Sequence, residues 1–373
     1  MTMKNRKFRL MFALIMAIAI VATGCGQANK NNGGSKEQAA EIENLPAALK
    51  DKGDIKLMVI RKIGGDDHTA QFLAGAKQEG EALGFKVDTF SASNDAAKFH
   101  DAIAQATNGD YDGVLISHGD DPATVEDVKK LQEKGIPVVA FDSIGDLATV
   151  EGVTLTSQND ELLAQQALDQ LVKESGDQAK LVYLWVDGFP PMVRRNKVYQ
   201  ETLAKYPGLK EVERFGVANE NTSVETQNAV AAMLTKHPKG EIDAIFATWD
   251  AFAIGAARAV AEAGRTEIKI YGIDVSNADL QTMQQENSPW VSTSAVDPKM
   301  IGAVNIRLLA KKIAGEETPA AYNLEPALIT QAALKASSEP VNMVTLADII
   351  PGWGTTDAFE EDWMKALKAA NGK

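Results

Sequence analysis

Short continuous apolar runs alternate along this chain with longer stretches in which apolar residues recur every three or four positions. Residues 55–60, 86–90, 113–117, 137–141, 153–156, 181–185, 211–215, 244–248, 269–273 and 291–295 read as strands. Between them, residues 69–83, 95–108, 122–134, 160–175, 192–206, 224–236, 251–263, 278–286 and 299–314 read as helices. The boundaries carry their own signals. Gly84, Gly109, Gly135 and Gly264 stand where helices stop, and Asp121-Pro122 supplies an N-cap followed by a first-turn proline. Continuous apolar strands alternating with capped helices predict an α/β fold with parallel sheets covered on both faces.

The pattern also repeats. Residues 112–142 run strand, helix, strand and end on Asp142; residues 243–274 do the same and end on Asp274. Such self-similarity predicts two doubly wound domains of like topology. Ligands of open α/β sheets bind beyond the carboxyl ends of the strands, so two facing sheets would bring Asp142 and Asp274 to one cleft. After residue 314 the periodicity weakens. A final amphipathic helix is expected around residues 359–369, with Phe359, Trp363 and Leu367 on one face. The tail that carries Trp353 is expected to pack along the joint between the domains.

The N-terminus has a different character. Lys4, Arg6, Lys7 and Arg9 precede an apolar run from Leu10 to Ala22, which is shorter than the ~20 residues of a membrane span. Basic, apolar, then small residues is the order of a secretory signal peptide. The run ends in Val21-Ala22-Thr23-Gly24-Cys25, which resembles the lipobox of bacterial lipoproteins. Cys25 is the chain's one cysteine, so no intrachain disulfide forms, and thiol catalysis in the folded body is excluded. Residues 26–45 are poor in apolar surface and read as a tether. Cleavage before Cys25 would remove four basic residues and no acidic ones, taking the net charge from −13 to −17. A chain this acidic is a poor partner for nucleic acid.

From Ile55 to about Ala333 the sequence resembles the ribose-binding-protein-like family of periplasmic binding proteins. The resemblance rests on Gly75-Ala76-Lys77-Gln78-Glu79, Gly135-Ile136-Pro137-Val138-Val139 ending at Asp142, Ala253-Ile254-Gly255-Ala256 after Asp250, Tyr271-Gly272-Ile273-Asp274, and Asp297-Pro298 with Gly302. It implies a type I periplasmic binding protein, with two doubly wound parallel-sheet domains joined by a three-strand hinge. On that scheme residues 1–24 are the signal peptide and 25–53 the lipidated cysteine and flexible tether. Residues 54–157 with 297–325 form the N-terminal lobe, 158–296 with 326–340 the C-terminal lobe, and 341–373 an extension.

The resemblance also implies a set of sugar contacts. Asp142, Arg195 and Asp274 match the family's carboxylate and arginine positions, while Asp66, His68, Thr69, Ser117, His118 and Asn221 fall at or near others. Ser143, Trp249 and Val296 depart from the family's usual Arg, Asn and Gln, which argues against D-ribose itself. The chemistry of these residues suits a sugar. Carboxylates accept hydroxyl protons, arginine donates in a planar fork, and an indole such as Trp249 stacks on C–H faces. Phe189 could supply a second wall.

The expectation is therefore a monomeric, lipid-anchored, extracytoplasmic solute-binding component of an ABC importer. It would take a monosaccharide, sugar acid or polyol, need no cofactor and perform no reaction. Phosphate-binding, dinucleotide-binding, metalloprotease and nucleophile-elbow motifs are all missing. Four alternatives stand beside it: a receptor module for a chemosensory or kinase partner, a metal-dependent binder using His68 and His118, a sugar-responsive repressor and a secreted hydrolase. A repressor would need a DNA-binding segment where the lipobox-like stretch lies.

Overall fold

The computed structural model describes residue 42 and residues 44–372. The signal-peptide and lipobox-like segments, Cys25 included, lie outside the described residues. In chain order the first lobe runs α1 (Ala47–Lys50), β1 (Lys56–Arg61), α2 (Asp67–Ala82), β2 (Lys86–Ser91), α3 (Ala96–Asn108), β3 (Gly113–Ser117), α4 (Pro122–Glu133), β4 (Val138–Phe141) and β5 (Thr154–Ser157). The second runs α5 (Asp160–Ser175), β6 (Ala179–Leu184), α6 (Pro190–Lys205), β7 (Leu209–Phe215), α7 (Thr222–Lys236), β8 (Ala244–Ala247), α8 (Asp250–Glu262), β9 (Lys269–Ile273), α9 (Asn277–Gln284) and β10 (Trp290–Ala295). The chain then returns through α10 (Pro298–Ile313) and β11 (Ala321–Asn323), and goes back again through β12 (Ala327–Thr330) and α11 (Gln331–Lys335). It ends in α12 (Asp362–Ala370).

Two six-stranded sheets result, in the orders β11-β5-β4-β3-β1-β2 and β12-β10-β9-β8-β6-β7. All pairs are parallel except β10 with β12. The two-sheet α/β architecture expected from the alternation is the architecture found. Strands β3, β4 and β8 are buried along their whole length, which is why they read as unbroken apolar runs.

Each sheet packs helices on both faces. In the first lobe α2 and α10 meet almost backbone to backbone. A Cβ on Gly75 would come within 2.2 Å of the Lys299 carbonyl oxygen, and one on Gly302 within 2.4 Å of the Phe72 carbonyl oxygen. Side chains at either site would force these helices apart. The glycines belong to the family pattern for a packing reason and not a binding one.

The chain crosses between lobes at residues 157–160, 295–298 and 323–327. The tail makes a further crossing. Val341, Met343, Leu346 and Trp353 are buried in the core of the second lobe, whereas Trp363, Met364 and Leu367 are buried in that of the first. Between them, Arg307 on α10 donates to the Thr356 carbonyl at 2.7 Å, and Trp363 donates its indole N–H to Glu316 at 2.8 Å. Trp353 borders a groove of about 310 Å³ with Val296, Asp297, Leu324 and Pro326 of the crossing segments. The tail thus lies along the joint.

Two expectations need correction. Residues 25–53 were expected to be flexible throughout, yet Leu45 and Leu49 are 5% exposed and join the core that holds Leu83, Phe85 and Leu367. The polar composition of residues 26–40 concealed the apolar pair at the segment's end. Phe359 was placed on the last helix, but its φ of 58° breaks the helix there. α12 starts at Asp362, and Phe359 packs edge-on against Tyr322 at 4.8 Å.

Candidate functional site

Three strands end in the same way. The residue after β3 is His118, after β4 Asp142 and after β9 Asp274. Their φ values are 63°, 46° and 73°, in the left-handed region that costs an ordinary side chain energy. Each backbone N–H still continues the sheet at 2.9 Å, to the carbonyls of Phe141, Thr156 and Ser294 respectively. The chain therefore pairs for one more residue, then turns sharply. All three side chains are buried. Neither aspartate caps the helix that follows: α9 is capped by Ser276, and the turn after Asp142 starts without a side-chain cap.

α6 brings two arginines to these turns. Arg195, 1% exposed, donates from Nε to Asp160 Oδ1 at 2.9 Å and from Nη1 to the Thr248 carbonyl at 2.5 Å. It also grips Asp274 with both Nη atoms, at 3.2 and 3.4 Å. Arg194 donates to the other Asp160 oxygen at 2.6 and 2.9 Å and reaches Asp142 Oδ1 at 3.0 Å. Asp160, the first residue of α5, thus anchors both guanidinium groups. Burial opposes the charge on Arg195, but Asp274 and Asp160 outweigh it and hold the group above its ordinary value. Burial, then the neighbouring Asp160, push the Asp142 carboxyl well above the usual carboxylate range despite Arg194.

Opposite lies Arg61, the last residue of β1, 3% exposed. Its Nε donates to Thr69 Oγ1 at 3.0 Å, Nη1 to Ser117 Oγ at 3.2 Å, and Nη2 faces His68 Nδ1 at 3.4 Å, while the guanidinium lies 4.9 Å from the Phe72 ring centre. Burial lowers His68, and burial with the charge of Arg61 holds His118 well below 6.5, so both imidazoles are neutral at neutral pH.

These groups surround a cavity of about 40 Å³ between the lobes. Its polar wall is Arg61, Asp66, His68, His118, Gln158, Arg195 and Asp274; its apolar wall is Ile63, Val186, Phe189, Pro191, Met192, Ala218 and Trp249. One water needs about 10–15 Å³ by the same measure, so the lobes must part to admit a sugar ring. They are held together by Asn94 donating to the Ala218 carbonyl at 2.9 Å, the Asn277 N–H to Asp67 at 3.3 Å, and Arg194 to Asp142. Three buried polar atoms at the cleft lack any hydrogen-bond partner: His68 Nε2, Gln158 Oε1 and Asp142 Oδ2.

Of the residues expected to bind, Asp66, His68, His118, Phe189, Arg195, Trp249 and Asp274 border this cavity. Thr69 and Ser117 do not; their hydroxyls are occupied by Arg61. Asp142 stands behind the cavity, facing Arg194. Asn221 is a correction. It is exposed, because its N–H closes a tight turn onto Asn219 Oδ1 at 2.7 Å and leaves the side chain outside. Asp66 spends one oxygen capping α2 through the Thr69 N–H at 2.6 Å. Ser143, where the resemblance implies arginine, is tied up locally between the Gly119 N–H and the Phe141 carbonyl.

Sequence reasoning missed Arg61, Gln158 and Asp160. A charged residue closing a buried strand was a usable signal for Arg61. Asp160 looked like an ordinary acidic first turn, and Gln158 like a linker. Among the described residues no three His, Cys, Asp or Glu side chains form a metal-holding group. Arg61 lies against His68 Nδ1, where its positive charge would repel a cation.

A family profile described as a periplasmic binding protein domain matches residues 57–317. The chain belongs to the periplasmic binding protein family. The ribose import binding protein of Escherichia coli (strain K12) is 25% identical over 262 residues, covering 69% of this chain and 84% of that protein. A sugar ABC transporter structure from Yersinia enterocolitica subsp. enterocolitica 8081 is 50% identical, with a TM-score of 0.85, over 88% of this chain and 99% of that one. The 5-methylthioribose transporter solute-binding protein of Thermotoga lettingae TMO, solved with 5-methylthioribose, is 31% identical with a TM-score of 0.80, over 84% and 98%. The chain is thus a member of the sugar ABC transporter solute-binding proteins, a group of extracytoplasmic, non-enzymatic transport components. Among the described residues no helix is long and apolar enough to cross a membrane.

Proposed function

We propose that this binding protein captures one monosaccharide, sugar acid or polyol between its lobes and delivers it to an ABC permease, held at the membrane by a lipid on Cys25. The observation that carries the ligand class is the set of unpartnered buried atoms, His68 Nε2, Gln158 Oε1 and Asp142 Oδ2, beside the Arg195–Asp274 clamp. A buried polar atom without a partner costs about 1–3 kcal/mol. Ligand hydroxyls can supply partners to the two that border the cavity, His68 Nε2 and Gln158 Oε1. The relatives that bind ribose and 5-methylthioribose support a pentose-sized molecule.

A thermal-shift screen of residues 26–373 against pentoses, hexoses, sugar acids and polyols tests this. A ligand at a hundred times its Kd should add about 2.7 kcal/mol of stability. A flat screen would refute the ligand class. For the anchor, wild-type cells should incorporate labelled palmitate into the protein and retain it in the membrane fraction. Cys25→Ala should lose both, and membrane retention of an unlabelled variant would rule out the lipid.

A further inference from the structure

The two walls of the cleft differ in chemistry by lobe. The first lobe offers mostly ionisable and hydrogen-bonding groups, Arg61, Asp66, His68 and His118. The second offers Arg195 and Asp274, and beside them an apolar surface of Val186, Phe189, Met192 and Trp249. All border one cavity of about 40 Å³, so the apolar four stand close together.

That surface is also held in place. Pro190 and Pro191 start α6 and fix the loop carrying Phe189. Trp185 donates its indole N–H to the Met192 carbonyl at 2.8 Å, and Thr248 places its hydroxyl on the Met192 sulfur at 3.3 Å. Trp249 packs edge-on against Phe252 at 5.7 Å.

An unsubstituted pentose carries a hydroxyl or ring oxygen on every carbon. Its C–H faces can use aromatic rings such as Phe189 and Trp249, but they do not call for Val186 and Met192 as well. A hydroxyl pressed against Val186 and Met192 would lose water and gain no partner there, the indole N–H of Trp249 being the one donor among the four side chains. The corner suits carbon or sulfur.

Building on the sugar-binding reading above, we propose that the ligand is a pentose with a short apolar group on one terminal carbon, an alkylthio or alkoxy group. The ring hydroxyls meet the polar wall, and the terminal group fills the corner of Val186, Phe189, Met192 and Trp249. These four residues set specificity. The Arg195–Asp274 clamp serves substituted and unsubstituted sugar alike.

Calorimetric titration of residues 26–373 with D-ribose, 5-S-methyl-5-thioribose, its 5-S-ethyl homologue and the methyl ribosides tests the proposal. At least one sugar with an apolar terminal group should bind ten or more times tighter than D-ribose. A CH₂ group fully buried in an apolar site is worth about fourfold, or about 0.8 kcal/mol. Val186→Asn should remove most of the preference, with a cooperative thermal melt within a few degrees of wild type certifying the variant's fold. Measurable D-ribose binding with no gain for any substituted sugar overturns the proposal and leaves the sugar reading standing. A preference that survives both Val186→Asn and Met192→Gln overturns the assignment of the corner. No binding of any sugar overturns the sugar reading and this proposal together.

Discussion

Asp142 and Asp274 are the same device used twice. Each follows a buried parallel strand, turns left-handed after one more sheet hydrogen bond, and hides its carboxylate among arginines. Their employment differs. Asp274 is gripped by Arg195 from within its own lobe and borders the cavity, whereas Asp142 is reached across the cleft by Arg194 and leaves one oxygen unpartnered. One carboxylate shapes the pocket; the other holds the lobes together. Repetition of sequence therefore repeated the geometry and left the roles free to diverge, because the partner arginines come from neighbouring positions of one helix.

The strongest break of this comparison is at its shared support. Arg195→Ala would strand the buried Asp274 without its cation and leave the buried Asp160 to Arg194 alone. Removing one partner of a buried pair costs about 3–5 kcal/mol, and ligand binding should vanish; a melting temperature within a degree of wild type would contradict the buried clamp. Lysine should rescue little, since it cannot reproduce the fork.

Next come the aspartates. Asp274→Asn should weaken ligand binding about a hundredfold, read by calorimetric titration. Asp142→Asn should cost about tenfold and show in solution scattering as a larger fraction of open molecules. Equal losses from the two variants, with no change in opening, would erase the distinction drawn here.

A smaller effect separates the lobes by pH. Burial pushes the Asp279 carboxyl up to about 7 from 3.8, and raises its neighbour Asp250 as well. The folded state thus holds a proton that the unfolded chain has released, so this group's contribution to stability falls as pH rises from about 4 to 7. His68 and His118 act in the opposite sense. Lowered by burial, they stay neutral while the unfolded chain gains protons, so stability falls as pH drops below about 6.5. Asp279→Asn should flatten the decline in melting temperature between pH 4 and 7. An unchanged slope would remove Asp279 from this account.

The fold was legible because burial writes itself into sequence. Strands such as Gly113–Ser117 and Ala244–Ala247 must be apolar throughout, and helix ends need residues such as Asp121-Pro122 and Gly135. The segment around Leu45 and Leu49 was not legible, since two leucines beside a polar stretch give no period. Within the site, Asp142 and Asp274 were legible from their strand-end positions. Arg61 and Asp160 were not, because what makes them matter is contact with residues between seven and fifty-six positions away. Thr69 and Ser117 sit where the resemblance put them, yet face Arg61, a residue the resemblance did not mention. Asn221 shows the limit of position alone, as one local turn leaves it exposed.

The tail's crossing bears on how the lobes move. Three neighbouring strands of chain make a joint that can both bend and swivel. A fourth connection, fastened by Trp353 at one end and Trp363 at the other, adds a second line of attachment beside the first. A swivel of the lobes would strain the two seated indoles, which a bend about the line through both attachments would spare. The extension is therefore expected to act on the joint as a second pin acts on a door, restricting the swivel more than the swing.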